Sequence, residues 1–246
     1  MDESSIPARL VPASPEFPRG RPRLGLLMLE TRFPRPLGDI GNPASWPGPV
    51  LARVVTGLLP RVAVQSAEGL RSAGMLPAMV RAAQALEAAG CTAITTSCGF
   101  LVLLQAPLQA AVRVPLVSSS LLQLPALLRE APRVGVLTIS AHQLGREHLL
   151  AAGVASERLP DVVAQGMDPA SEFVRAILGN LAAMDRARAG DEVVAAAEAL
   201  ARRAPDLRTL VLECTNMPPY AERIRAATGL RVRSLFDAAE LVAALK

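Results

Sequence analysis

From Arg23 onward, continuously apolar runs alternate along the chain with Ala- and Leu-rich segments of helical period. Four of the apolar runs predict strands in the first half, at 23–30, 61–66, 92–97 and 114–120. Three segments predict helices, at 50–59, 76–90 and about 100–111. Strands that are apolar throughout and lie between helices are typical of a parallel sheet covered on both faces. The predicted fold class is therefore α/β.

The second half of the chain repeats this scheme. "RVGVLTIS" at 133–140 matches "RLGLLMLE" at 23–30, and "RTLVLEC" at 208–214 matches "TAITTSC" at 92–98. The second match continues without a gap, since "AATGLRVRS" at 226–234 falls on "AAVRVPLVS" at 110–118. We therefore expect two similar Rossmann-like lobes with parallel sheets, related by a pseudo-twofold axis, with an active site in the cleft between them.

The duplication predicts where the chain divides. The expected parts are a leader at 1–22, an N-terminal lobe at 23–120, a linker helix at 121–132, a C-terminal lobe at 133–234 and a C-terminal helix at 235–246. The leader is rich in Pro, Ser and Arg and has no apolar core, so it predicts disorder and not a signal peptide. No apolar stretch reaches 18 residues without interruption, which predicts no membrane span. Together with an odd number of cysteines, three, these features favour a cytoplasmic location.

Composition excludes several kinds of chemistry. Of the 26 basic residues only Lys246 is a lysine, which argues against a pyridoxal-phosphate enzyme and excludes a Walker A loop. Neither a Gly-x-Gly-x-x-Gly motif nor a metal-ligand spacing of Cys and His occurs, so we expect no metal and no bound cofactor. The net charge of +4 is spread along the chain and aromatic residues make up only 3%, which argues against a nucleic-acid partner. The protein's own side chains are thus expected to do the chemistry.

Cys98 and Cys214 stand in equivalent places of the two halves, each after a strand and before residues that suit a helix start. Such positions line the ligand crevice of an open parallel sheet, and a helix N-terminus lowers the pKa of a thiol. Across one cleft the two sulfurs would lie on the order of 7–9 Å apart, about the span of a small substrate. One thiolate could then remove a proton from carbon while the other thiol returns one from the opposite face. Cys91, at the start of a strand, is assigned to the core.

Backbone N–H groups next to the two cysteines are candidates for binding a substrate carboxylate and stabilising an enediolate. They belong to Gly99, Phe100, Thr215 and Asn216. Glu213 either tunes the neighbouring thiol or points away into a salt bridge, and the sequence leaves both open.

Three further polar side chains are candidates for the cleft. Ser119 and Ser140 end predicted strands, although serines in such places also serve as helix N-caps. Asn42 lies in a long Gly- and Pro-rich loop at 31–49, a length that is typical of functional lids. Arg32 and Arg35 in the same loop could bind a carboxylate, or be solvated while the loop only shapes a turn.

Four of the seven aromatic residues follow strand ends that are expected at the cleft. They are Phe33, Trp46, Phe100 and Tyr220. A pocket lined by them would suit an apolar or aryl group better than a compact aspartate, although core packing explains each one equally well.

The motifs "TTSCGF" around Cys98 and "ECTNMPPY" around Cys214 resemble those of the aspartate/glutamate racemase superfamily, which includes hydantoin racemases, maleate isomerases and arylmalonate decarboxylases. The resemblance extends over nearly the whole chain from Arg23. The second motif keeps the family's Cys-Thr pair, with Asn216 beside it. The first has Cys98-Gly99-Phe100 in place of Cys-Asn-Thr, which points away from an amino-acid substrate.

This resemblance implies a cofactor-independent racemase or epimerase in which Cys98 and Cys214 act as acid and base next to the carboxylate or carbonyl of a small molecule. It also implies a homodimer. One alternative is an enzyme of the same fold that resembles maleate isomerase or arylmalonate decarboxylase, although two cysteines disfavour the one-cysteine decarboxylase pattern. A non-catalytic small-ligand binding protein is the other alternative.

Overall fold

The protein is described by a computed structural model over residues 23–246, and the predicted leader at 1–22 lies outside the described residues. Its strands form two parallel four-stranded sheets. The first contains β1 (Leu24–Leu29), β2 (Val50–Val55), β3 (Ala93–Thr96) and β4 (Leu116–Val117). The second contains β5 (Val134–Thr138), β6 (Val162–Gly166), β7 (Thr209–Leu212) and β8 (Arg231–Arg233).

Helices connect the strands in both halves. Those of the first half are α1 (Pro60–Ala63), α2 (Ala67–Ser72), α3 (Leu76–Ala88), α4 (Gln105–Ala110) and α5 (Leu124–Glu130). Those of the second half are α6 (Arg146–Ala151), α7 (Glu172–Leu178), α8 (Arg186–Arg203), α9 (Ala221–Thr228) and α10 (Ala239–Ala244). None of these helices is long and apolar enough to cross a membrane.

The two sheets have the same topology, which confirms the predicted α/β class and the duplication. Their strand orders are β2-β1-β3-β4 and β6-β5-β7-β8. The strands that matched in sequence, β1 with β5 and β3 with β7, therefore occupy the same places. Every residue of β1, β3, β5 and β7 is buried, as expected of strands covered on both faces.

Two predicted elements were assigned the wrong type. The segment at 50–59 was predicted as a helix, but its residues 50–55 form β2, which pairs with β1 along its whole length. The segment at 61–66 was predicted as a strand, but Pro60 begins α1, where its fixed φ and missing N–H suit a first helical turn. Short apolar segments fit both the helical and the strand period, so their neighbours in the fold decide which structure they adopt. The segment at 50–55 forms a strand because it pairs with β1.

The predicted helix at about 100–111 consists of two parts. A 3₁₀ helix covers Gly99–Leu104 and continues into α4. The predicted helix at 76–90 is confirmed as α3, after which Gly90 turns the chain with a φ of +84°. Helix α5 lies in the predicted linker, while the exact division of the chain into lobes stays a prediction.

The chain returns to the first sheet after completing the second. Helix α10 packs on β3 and β4. Leu241 of this helix belongs to a cluster of buried side chains that also includes Leu24, Ala93 and Val117 of the first sheet. The side-chain hydroxyl of Thr92 donates to the carbonyl of Ala244 (3.3 Å). The last described segment therefore covers part of the first sheet.

The carboxyl ends of the two sheets are joined directly by hydrogen bonds. The hydroxyl of Thr215, after β7, donates to the carbonyl of Ser97, after β3 (2.6 Å). The hydroxyl of Ser120, after β4, donates to the carbonyl of Leu212 (2.7 Å). These contacts bring the two cysteine motifs to the same place.

Candidate active site

Cys98 and Cys214 line one common cavity between the carboxyl ends of β3 and β7. Each cysteine follows its strand by two residues. Because β3 and β7 hold equivalent places in sheets of the same topology, the duplication delivers both thiols to the same site. The convergence predicted from the repeat is therefore present.

The cavity is small and its walls are mostly apolar. Its volume is about 20 Å³, which is room for about one water molecule, and both cysteines are only 6% exposed. The apolar walls come from both halves of the chain: Leu29, Phe33, Pro60, Val64, Phe100, Ile139 and Ile177. The thiols thus lie in a narrow, buried and mostly apolar site.

Burial raises the pKa of the Cys98 thiol to about 12, because a thiolate is poorly solvated there and Glu213 lies nearby. Three groups lower this pKa but do not offset the effect of burial: the N–H groups of Phe100 and Leu101 and the charge of Arg35. The prediction that a helix N-terminus lowers this pKa is therefore wrong. The helix after Cys98 is a 3₁₀ helix of six residues, and desolvation outweighs its dipole.

The thiol of Cys214 is also held in its protonated form. Burial, followed by the nearby Glu213, raises its pKa well above the usual value. The Cys214 thiol donates to Oδ1 of Asn216 (3.6 Å), and Nδ2 of Asn216 donates to Oδ2 of Asp39 (2.7 Å). Cys214 is therefore the donor at the end of a chain of hydrogen bonds.

The loop at 31–49 is fixed against the second cysteine motif. The N–H of Ile40 donates to the carbonyl of Thr215 (3.1 Å). Arg35 forms an ion pair with Asp39 (2.7 Å), and its guanidinium carbon lies 4.6 Å from the centre of the Phe33 ring. Arg35, a candidate for binding carboxylate, is thus already paired. The second candidate, Arg32, donates its backbone N–H to Asn180 (2.6 Å), and its side chain is exposed.

Four of the predicted substrate-binding residues line the cavity with the two cysteines: Gly99, Phe100, Thr215 and Asn216. Two of the four aromatic candidates, Phe33 and Phe100, also lie there. Trp46 instead packs against Phe236 and Tyr220 against Phe173.

Three predicted site residues do not line this cavity. Ser119 accepts from the N–H of Leu121 (3.2 Å) as the N-cap of a 3₁₀ helix. Ser140 lies in a neighbouring surface pocket beside His142. Asn42 is also a cap, with its Oδ1 accepting from Ala44 and its Nδ2 donating to Arg35. Short polar side chains at strand ends satisfy backbone groups more readily than they reach a cleft.

Glu213 lines the cavity beside both thiols, a role that the sequence left undecided. It is 1% exposed, and burial raises its pKa to about 8. The hydroxyl of Thr138 donates to its Oε2 (2.7 Å), whereas Oε1 has no hydrogen-bond partner among the described residues. The usable sequence signal was a carboxylate inside an otherwise apolar strand end, directly before a candidate catalytic cysteine.

Gly99 makes room for Glu213. A Cβ at position 99 would overlap with both the carbonyl oxygen and Oε1 of Glu213. The departure of "TTSCGF" from Cys-Asn-Thr therefore has a steric reason, since the Glu213 carboxyl occupies the space next to Cys98. Among residues 23–246, no cluster of three or more His, Cys, Asp or Glu side chains could hold a metal ion.

Slow alkylation is an expected consequence of this burial. All three cysteines are buried, and the pKa values of Cys91, Cys98 and Cys214 are raised, so each thiolate is scarce and shielded at pH 7. We expect iodoacetamide to modify the folded protein at least about 100-fold more slowly than the unfolded chain, as measured by mass spectrometry. Rapid labelling of Cys98 or Cys214 in the folded protein would show that the cavity stands open.

The sequence profile of the Asp/Glu/Hydantoin racemase family matches residues 54–244. Dimethylsulfoniopropionate lyases 7 and 5 of Emiliania huxleyi (strain CCMP1516) are 31% and 32% identical over 241 and 232 residues, covering 88% and 91% of this chain. A dimethylsulfoniopropionate lyase of Durusdinium sp. clade D is 28% identical over 220 residues, covering 85% of this chain and 70% of the relative. The chain spans only 64% and 45% of the two Emiliania proteins.

Solved structures agree in fold. Arylmalonate decarboxylase has a TM-score of 0.54 at 16% identity, covering 86% of each chain. An aspartate racemase homologue from Pyrococcus horikoshii OT3 has a TM-score of 0.52 at 18% identity, covering 89% of this chain and 94% of that one. A glutamate racemase from Bacillus anthracis has a TM-score of 0.53 at 18% identity, covering 86% and 76%. With its two parallel sheets and its family profile, the chain belongs to the Asp/Glu/hydantoin racemase family.

Proposed function

We propose that the protein is a cofactor-independent lyase that removes the proton next to a carboxylate and expels a sulfide from the neighbouring carbon of a dimethylsulfoniopropionate-like substrate. The observation that carries this proposal is the cavity itself, which joins two thiols within apolar walls. Because the cavity has room for about one water molecule, its walls must move apart when the substrate enters. The names of the three relatives supply the substrate class.

The cavity is poorly suited to an amino acid. An ammonium group in a buried, mostly apolar site needs a charged partner, but the carboxyl on the cavity, Glu213, is held neutral by burial. A dimethylsulfonium group has no N–H to satisfy, and its methyl groups suit apolar and aromatic walls such as Phe33 and Phe100.

The mostly apolar surroundings also favour this elimination. A thiolate takes the proton from the α carbon, and the C–H electron pair forms the new Cα–Cβ double bond. The bond from the β carbon to sulfur breaks, and its electron pair leaves on sulfur, which gives acrylate and neutral dimethyl sulfide. A negative base and a positive leaving group are both neutralised in this step. A medium of low dielectric constant favours such a loss of charge, and the high thiol pKa makes the thiolate a strong base.

Within this mechanism we assign Cys98 as the base. The N–H groups of Phe100 and Leu101 and the charge of Arg35 favour its thiolate. The Cys214 thiol instead donates a hydrogen bond to Oδ1 of Asn216. Glu213 disfavours ionisation of both thiols, but Asp39 opposes that of Cys214 in addition, and a single N–H group, that of Asn216, favours the Cys214 thiolate. Cys214 is therefore the neutral thiol of the pair.

Inversion of a stereocentre is the second candidate function. The observation that favours it is the presence of the second thiol on the same cavity, as two-base racemisation requires. Both reactions begin with the same proton removal and differ in whether a leaving group stands on the β carbon.

Incubation of the protein in D₂O with dimethylsulfoniopropionate, with chiral carboxylates and hydantoins, and with dicarboxylates separates these functions. We expect release of dimethyl sulfide, measured by gas chromatography, and of acrylate, measured by NMR. Deuterium incorporation at a stereocentre with loss of optical activity would select the racemase, and cis-trans conversion or CO₂ release would select an isomerase or decarboxylase. Reaction with none of them would contradict the proposal.

The pH dependence of this activity follows from the raised thiol pKa. Because Cys98 of the free enzyme has a pKa of about 12, the thiolate fraction increases about tenfold per pH unit in the neutral range. We therefore expect kcat/KM for dimethyl sulfide release to rise about tenfold per unit from about pH 6 to 8. A value that is flat or falls over this range would contradict a thiolate base with a raised pKa.

A further inference from the structure

We propose that Glu213 is a substrate-binding residue that stays protonated and donates a hydrogen bond from Oε1 to the substrate carboxylate. This inference rests on the proposed function, because it needs a carboxylate beside the two thiols. It adds to that function the residue that receives the carboxylate, and Glu213 is not one of the cysteines that carry the chemistry.

The hydrogen bonds around Glu213 place its proton on Oε1. The hydroxyl of Thr138 accepts from the N–H of Ser140 (3.4 Å), so its own proton is free to go to Oε2 of Glu213 (2.7 Å). Oε2 therefore acts as the acceptor, and the acidic proton stays on Oε1. That oxygen is buried and has no partner among residues 23–246. A buried polar group without a partner is unfavourable, and a bound carboxylate oxygen would satisfy it.

The position of Oε1 suits a substrate that reacts at Cys98. The oxygen lies against Gly99, the residue after the base, close enough to exclude any side chain there. Glu213 and both thiols line the same cavity. A carboxylate held by Oε1 would therefore place its neighbouring carbon close to the sulfur atoms.

The charges around Glu213 keep it neutral. Desolvation raises its pKa, and the hydrogen bond from Thr138 offsets this only in part. The titratable groups that face it across the cavity are the thiols of Cys98 and Cys214, both protonated at neutral pH. On the loop at 31–49, Arg35 is already paired with Asp39. In the described part of the chain no cation is therefore in place to stabilise a Glu213 carboxylate.

A binding experiment without turnover tests the inference. The probe is 3-(methylthio)propanoate, which has the carboxylate but a poor leaving group, and its affinity is measured by calorimetry between about pH 6 and 9.5. In the wild type we expect the affinity to fall about tenfold per unit above pH 8, where Glu213 ionises and repels the probe. Glu213→Gln should bind about tenfold more weakly below pH 8, since an amide is a poorer donor, but without that fall. Glu213→Leu should bind about 100-fold more weakly, because it has no donor.

A matched control is Glu172→Gln. Glu172 is also buried, but it lies outside the cavity and is paired with Arg175. Its replacement should leave the fall above pH 8 in place. If Glu213→Gln still shows that fall, or if Glu213→Leu binds the probe as tightly as the wild type, the inference is overturned.

Turnover and stability separate this inference from the proposed function. In the wild type kcat/KM should stop rising near pH 8, because ionisation of Glu213 cancels the gain in thiolate, whereas in Glu213→Gln it should continue to rise.

A raised folded-state pKa of Glu213 means that stability is lost as pH rises from the unfolded value of about 4.5 to about 8. Glu213→Gln should therefore gain thermal stability over the wild type between about pH 5 and 8. Dimethyl sulfide release with the same pH profiles for wild type and variant would refute only the role of Glu213. Probe binding with the expected pH dependence but no turnover would refute only the proposed reaction.

Discussion

Replacing Cys98 by alanine is expected to lower kcat/KM for dimethyl sulfide release by at least about 1000-fold, because it removes the thiol whose anion is favoured by two backbone N–H groups and by Arg35. The thiolate of Cys214 is favoured by one N–H group, that of Asn216, and is opposed by Glu213 and Asp39. Cys214→Ala should lower it by no more than about tenfold, since that thiol acts only as a neutral neighbour in the elimination. The two variants are compared by gas chromatography of the released sulfide at a fixed pH near 8.

Cys91→Ala is the matched control for both variants. Cys91 is buried like the other two cysteines, but it precedes β3 and does not line the cavity. Its replacement should leave kcat/KM within about twofold, while removing a comparable small volume from the interior. Equal, large losses in Cys98→Ala and Cys214→Ala would contradict the assignment of a single base and favour the two-base racemase.

Gly99→Ala is expected to cause the second largest loss, at least about 100-fold in kcat/KM together with about 1–3 kcal/mol of stability. The new Cβ would overlap with the backbone carbonyl of Glu213 as well as its carboxyl group, so a side-chain movement alone cannot relieve it. The backbone after β3 or β7 must shift, and either shift moves a cysteine. Activity is measured as sulfide release and stability by thermal unfolding.

Gly145→Ala is the control for this substitution. Gly145 precedes α6 with a φ of −91°, and no atom lies within 4 Å of a Cβ built there. Its replacement should leave kcat/KM within about twofold and should cost no more than about 1 kcal/mol of stability, because alanine is a poorer N-cap than glycine. If Gly99→Ala changes kcat/KM and stability no more than Gly145→Ala does, the close contact between Gly99 and Glu213 is not needed for activity.

Most of the fold could be predicted from the sequence because the repeat carries information that no single segment has. The matched runs at 23–30 and 133–140 identify β1 and β5 as equivalent, which predicts that the two sheets have the same topology, as they do. Prediction from the local pattern alone failed at 50–66, where the segment that forms β2 was predicted as a helix and the segment that contains α1 was predicted as a strand. β2 has intermediate exposure at five of its six positions, and Arg53 interrupts its apolar run, whereas β1, β3, β5 and β7 are buried throughout.

The sequence predicted where the candidate site lies, but not the ionisation state of its thiols. The cysteines and their four neighbours were found because their position depends on strand ends, which the repeat locates. The direction of the thiol pKa shift depends on how completely the lobes close over the cavity, and burial of that kind is not encoded locally. Glu213 was left undecided for the same reason, since its orientation depends on Thr138 and Gly99, which lie far from it in sequence.

The return of α10 to the first sheet has a consequence for how the chain folds during translation. Leu24, Ala93 and Val117 emerge from the ribosome early, but Leu241, which packs with them, is made only after the whole second sheet. Contacts this distant in sequence are slow to form, and uncovered apolar surface invites association with other chains. Part of the apolar surface of the first sheet is therefore expected to stay exposed in the nascent chain until the second half has been made. We expect a chaperone that binds at this stage to increase the yield of folded protein.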